Sequence, residues 1–146
     1  MKHAFTMIEL IFVIVVIGIL AAIAIPKFAV TRDDANIVKG KSNVASIQSA
    51  LVTQRTSNIM RGEPRYPEQL DDADENEVGE PLFGNILDRP ITSSDSSGGW
   101  MKIDDNEYEF HISASKSATF SYDGDDNSST YGHFSCDSSD NCHYFE

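Results

Sequence analysis

Glu9 is the one charged side chain in an otherwise apolar run from Phe5 to Ile25, and a carboxylate in such surroundings calls for a cationic partner. Near the other end of the chain, Cys136 and Cys142 stand close together with His133 and His143 beside them. That set can close a disulfide or offer four soft ligands to zinc. The run Asp123-Gly124-Asp125-Asp126-Asn127 gathers the hard oxygen ligands that calcium takes. His111 and His133 have no Ser or Cys nucleophile placed for them by a recognisable motif, so the chain does not read as an enzyme.

Spacing narrows each of these readings. At about 1.5 Å per residue, Phe5 to Ile25 makes a helix of roughly 31 Å, close to the roughly 30 Å of bilayer hydrocarbon. An acidic side chain at the centre of such a span costs up to about 3 kcal/mol, and less near an end, so Glu9 is a functional candidate; the plainer alternative is a glutamate that snorkels to a membrane face. A close cysteine pair in a part of the chain that would face outside reads as a disulfide, whose loop of about seven residues is worth roughly 2.4 kcal/mol. Zinc is the rival, and adjacent Cys142 and His143 share a tetrahedral site poorly. An EF-hand would require Gly and Glu where this chain has Ser128 and Phe134, which excludes it. A looser calcium site on Asp123, Asp125 and Asn127 stays open beside a bare polar turn.

The elements that must position these residues follow from patterning. Past Pro26 the apolar positions Val30, Ile37, Val44, Ile47 and Leu51 recur at near-helical spacing, with Arg32, Asp33, Lys39, Lys41 and Gln48 elsewhere on the cylinder. The pattern predicts one helix from about Phe5 to Ile59, on the order of 80 Å long, stopped by Arg61-Gly62-Glu63-Pro64. Gly18 and Pro26 weaken it, and Gly18, Ala21, Ala22 and Ala24 allow close helix approach. Residues 63–99 read as a loop-rich connection with an acidic, solvated stretch from Asp71 to Glu80, in which Leu82 to Leu87 forms one helical turn or a strand. Alternation then predicts three or four antiparallel strands around Trp100 to Ile103, Tyr108 to Ile112, Phe120 to Tyr122 and Phe134 to Cys136, with turns at Asp104 to Asn106 and Asp123 to Ser129.

Charge divides the chain as sharply as hydropathy does. Residues 5–62 carry six Lys/Arg against three Asp/Glu, and residues 63–146 four against twenty, within a formal net charge of −12. So acidic a C-terminal part disfavours direct nucleic-acid binding and suits solubility, cation binding or repulsion between subunits. After the apolar segment is set aside, 146 residues leave room for one small soluble domain and a stem.

Ala4-Phe5-Thr6-Met7-Ile8-Glu9-Leu10-Ile11, followed by Gly18, Ala21-Ala22, Pro26 and Lys27, resembles the N-terminal methylation motif of type IV pilins and pseudopilins. The resemblance is close over roughly residues 1–35. It implies a leader, 1–4, removed by a prepilin peptidase that cuts between Ala4 and Phe5 and methylates the new Phe5 amine; the family usually has Gly where this chain has Ala4. Phe5 and Glu9 share a helix face about 6 Å apart, so cleavage would place a cation beside the carboxylate. In the family that pairing recruits the next subunit. Gly18 and Pro26 fall where the family bends or melts inside filaments, and some major pseudopilins bind calcium in the region of Asp123.

The resemblance thus implies an α+β, pilin-like fold. In it a transmembrane and assembly helix, 5–25, continues as an amphipathic helix, 26–60, against a loop-rich, small antiparallel β-sheet head, 61–146. It implies a non-enzymatic filament subunit without cofactor, held in a bacterial inner membrane with its head in the periplasm and met there by an inner-membrane assembly platform. A pseudopilin of type II secretion is the first reading; a surface pilin or DNA-uptake pilin shares the motif. Two non-filament alternatives remain: a signal peptide cut after Ala22-Ile23-Ala24, and an uncleaved membrane-anchored acidic binding module.

Overall fold

One helix, α1, spans Met7–Met60 and is assigned without a break through Gly18 and Pro26. The computed structural model describes residues 6–137 and 141–146, with 24–30 as backbone alone. The chain divides into two units, 1–35 and 36–146. In the first, the α1 side chains from Met7 to Ile23 are almost all exposed, Glu9 being the only charged one among them.

The end of α1 is chemically specified. Gly62, at φ 87°, takes the left-handed conformation that a side chain resists, and its N–H donates to the Ile59 carbonyl at 3.0 Å. The Glu63 N–H reaches the Asn58 carbonyl at 2.9 Å, completing a Schellman stop that satisfies two otherwise orphaned carbonyls.

In the second unit, residues 36–60 of α1 pack on a sheet in the order β3-β4-β5-β6, antiparallel throughout: Trp100–Asp104, Glu107–Ser113, Lys116–Tyr122 and Phe134–Cys136. A two-residue turn with Asn106 at φ 61° joins β3 to β4. Along β4 the expected alternation holds: Tyr108, Phe110 and Ile112 are buried, while Glu109, His111 and Ser113 are half-buried on the other face. Register aligns Tyr108 with Phe120 and Phe110 with Ala118, so the aromatic side chains share one face. Ile47 and Leu51 of α1 close the core over Trp100, Phe110, Phe120 and Phe134.

Polar residues of α1 fasten it to the sheet as well. Asn36 Nδ2 donates to the Ile112 carbonyl at 2.8 Å, Lys39 Nζ to Gly98 at 2.6 Å and Gln48 Nε2 to Phe134 at 3.1 Å. Each brings a side-chain donor to a backbone carbonyl far away in sequence. Gly40 explains the closeness: a Cβ there would stand 2.8 Å from both Phe110 Cε1 and Phe145 Cε1.

The connection after α1 is more structured than its composition suggests. Pro81–Leu82 (β1) and Ile91–Thr92 (β2) form a separate antiparallel pair, so Leu82 to Leu87 begins as a strand and then turns at Phe83. Phe83 sits at φ 60°, rare for a bulky residue, yet it is fully buried among Trp100, Tyr108 and Phe134. Asp71 is a correction to the reading of 71–80 as a solvated charge run, because it is 1% exposed.

Candidate functional site

Glu9 lies in the first turn of α1, in a reciprocal arrangement with Thr6. The Thr6 hydroxyl accepts the Glu9 N–H at 3.3 Å, and a Glu9 carboxylate oxygen accepts the Thr6 N–H at 3.5 Å. This is a capping box, which satisfies two donors at the helix start and sets negative charge against the positive end of the helix dipole. Between Thr6 and Glu9 stand Met7 and Ile8, 78% and 76% exposed, and past Glu9 an apolar surface reaches Ile23. Ala4 and Phe5, the expected cleavage pair, lie outside the described residues. Gly18 faces open space, with no atom within 4 Å of an added Cβ. At Pro26 only the backbone is described.

The expected span Phe5 to Ile25 begins and ends outside the residues whose side chains are described. Among the described residues no helix is long and apolar enough to cross a membrane.

At the far end, Cys136 and Cys142 are disulfide-bonded with their Cα atoms 5.7 Å apart, which removes both from any zinc site. The bridge joins β6 to the short 3-10 helix Cys142–Tyr144 and carries the chain on to Phe145. Phe145 stacks edge-on against Phe120 and Phe110, at 5.0 and 5.8 Å between ring centres. Lys41 Nζ holds the Glu146 backbone oxygen at 3.2 Å. His143 rests on Tyr144, and His111 stands 3.8 Å from Glu109.

The acidic turn is organised by its own donors. Asp123 accepts the Asp125 N–H at 3.1 Å and the Thr130 hydroxyl at 2.6 Å, and Asp125 accepts both the N–H and the side-chain amide of Asn127. Hydrogen bonds from Ser128 and then Thr130 hold the Asp123 carboxyl below the usual carboxylate range. Among the described residues no three acidic, His or Cys side chains gather to hold a metal ion.

One polar cluster escaped the sequence reading. Asp71 Oδ1 meets Lys102 Nζ at 3.3 Å, and its other oxygen accepts the Phe83 N–H at 2.8 Å and the Tyr108 hydroxyl at 2.9 Å. Lys102 also donates to the Ala73 carbonyl at 2.9 Å. Burial, with the neighbouring Asp71 charge adding to it, pushes the Tyr108 hydroxyl far above its ordinary range. A signal existed: Lys102 lies two residues from Trp100 and pairs in register with Tyr108, both on the aromatic face.

Comparison with known proteins adds a decisive observation at the N-terminus. The family model of the prokaryotic N-terminal methylation motif matches residues 1–25. The chain is a type IV pilin-like protein. It is also similar to the type IV narrow pilus major component PilA5 of Thermus thermophilus, at 50% identity over 46 residues. Those residues are 32% of this chain and 40% of that relative's length. No solved structure matches. The pilin-like fold is accordingly carried by its own geometry, a long N-terminal helix with antiparallel sheet packed on its C-terminal half.

Proposed function

We propose that this pilin-like chain is a non-enzymatic structural subunit of a type IV pilus-like filament, made as a membrane-inserted precursor and assembled through its N-terminal helix. Glu9 carries the reading. It is the only charged residue among Met7 to Ile23, it sits at the start of α1, and it falls inside the matched methylation motif. Cleavage between Ala4 and Phe5 creates a cationic amine four positions before the carboxylate, and methylation keeps that cation. The Phe5 amine of one subunit and Glu9 of the next then form a pair whose attraction is far stronger in hydrocarbon than in water.

Gly18 and Pro26 serve this reading as points of bending inside the fibre, and the open space around Gly18 leaves room for a neighbouring helix. The prepilin peptidase and an inner-membrane assembly platform are the partners it requires. The acidic head stands in the periplasm and then on the filament surface, where like charge opposes non-specific association. The small size and acidic head suggest a type II secretion pseudopilin. The Thermus relative is a pilus component, and together with the C-terminal disulfide this supports a pilus fibre instead. We adopt the pilus reading.

Mass spectrometry of the N-terminal peptide recovered from membranes tests the proposal. A chain starting at methylated Phe5 is expected. A start at Met1 would indicate an uncleaved anchor, and a start at Ile25 a signal peptide; either overturns the filament role.

A further inference from the structure

The buried cluster around Asp71 holds an amine and a carboxyl in the arrangement of an acyl-transfer site. Lys102 and Asp71 are 6% and 1% exposed, and Nζ stands 3.3 Å from Oδ1. The opposite oxygen, Oδ2, is held by two donors, the Phe83 N–H at 2.8 Å and the Tyr108 hydroxyl at 2.9 Å. Oδ1 also accepts the Ala73 N–H at 3.3 Å; an amine against that oxygen and two closer donors on the other is an arrangement that suits amide formation. We propose that Lys102 and Asp71 condense into an intramolecular isopeptide cross-link between the connection and β3.

The step balances with no further reactant. Across the existing contact, the Lys102 ammonium passes a proton to Oδ1, giving a neutral amine and a carboxylic acid. The amine lone pair forms the Nζ–Cγ bond, and the displaced electron pair settles on Oδ2 between the Phe83 and Tyr108 donors. Nζ gives a second proton to Oδ1, the Cγ–Oδ1 bond breaks, and Oδ1 leaves as water while the carbonyl re-forms at Oδ2. The third proton of the original ammonium stays on the amide nitrogen, which already donates to the Ala73 carbonyl at 2.9 Å.

Three features assist. The fold fixes both groups on packed elements, and well-oriented intramolecular partners gain effective concentrations on the order of 10⁵ M or more. Tyr108 remains protonated, since burial opposes its ionisation, so its hydroxyl stays a donor. Beside Lys102 a cleft of about 530 Å³, lined by Asp74, Glu75, Glu77, Glu80 and Asp105, gives the released water a way out. The product ties the connection to β3 covalently, a bond suited to a subunit that bears load.

Trypsin reads the outcome directly on the full chain purified in detergent and reduced. It does not cut between Arg89 and Pro90, so Asp71 and Lys102 fall in one stretch, 66–116, unless cleavage occurs after Lys102. The expected product is an uncut 66–116 peptide lighter by one water, with fragmentation placing the loss on Asp71 and Lys102. Lys102→Met should restore full mass to that stretch. Recovery of 66–102 and 103–116 as separate peptides of full mass overturns the cross-link and leaves an ion pair. So does a water loss that maps elsewhere.

Discussion

The Glu9 carboxylate accepts the Thr6 N–H while the Thr6 hydroxyl accepts the Glu9 N–H, so the one charge on the exposed apolar part of α1 also caps the helix. The proposed function adds a second role to that cap: offering a negative charge to another subunit. A glutamine can fill the first role but not the second. Glu9→Gln should keep α1 helical and the protein in the membrane fraction, yet abolish its recovery in sheared filaments. Glu9→Ala should fail in the same assay. Normal filament yield from Glu9→Gln would sink the charge-pairing role.

Gly40 and Phe145 set a second expectation. Because an added Cβ would stand 2.8 Å from Phe110 and Phe145, Gly40→Ala overpacks the helix–sheet contact and should cost about 1–3 kcal/mol in denaturant unfolding. Phe145→Leu removes one of the two rings that the added Cβ would meet. Combined with Gly40→Ala it should recover part of the loss, whereas additive destabilisation would place the clash wholly on Phe110.

Opening the Cys136–Cys142 bridge frees the segment that carries Phe145 onto the sheet. The loop is short, so the chain-entropy contribution is only about 2 kcal/mol. Replacing both cysteines by serine should lower the unfolding midpoint by that order without preventing folding. Amide exchange should rise first in 142–146 and leave β4 and β5 protected.

The acidic turn gives a pH signature. Asp123 is held low by the Ser128 and Thr130 hydrogen bonds, so its contribution to the turn is present above the ordinary carboxylate range and is lost as pH falls through its depressed value. Thr130→Val removes one donor and should move the Asp123 titration, followed by NMR, back upward. The same experiment with calcium added decides whether the turn binds a cation: with the carboxylates already occupied by local donors, no shift is expected.

Tyr108 should behave in the opposite sense. Its hydroxyl is raised by burial first and by Asp71 second, so the stability it provides is complete below the ordinary tyrosine range and declines as pH rises above it. Tyr108→Phe removes a donor from a buried carboxylate and should cost about 1–3 kcal/mol at neutral pH. Its alkaline unfolding should become shallower than that of the parent chain.

Much of the molecule follows from local pattern. The apolar run with its single Glu9 stands out by length and composition, while the amphipathic stretch ending at Gly62 and the alternation of Tyr108, Phe110 and Ile112 obey periodicities of 3.6 and 2. Such periods are visible without knowing what lies opposite. The cysteine pair is legible because it too is local, a sequence separation of 6 residues keeping its ends within reach. Asp71 shows where that reach ends. In sequence it heads an acidic run and looks solvated; only when β3 and β4 pair does Lys102 arrive across from Tyr108, and only when the connection folds over them does Asp71 find its donors. Burial of a charge depends on partners distant in sequence, and those are fixed by strand register and by Phe83 turning into the core. The chain by itself thus determined the elements and the N-terminal motif, while the tertiary structure alone decided which polar residues left water.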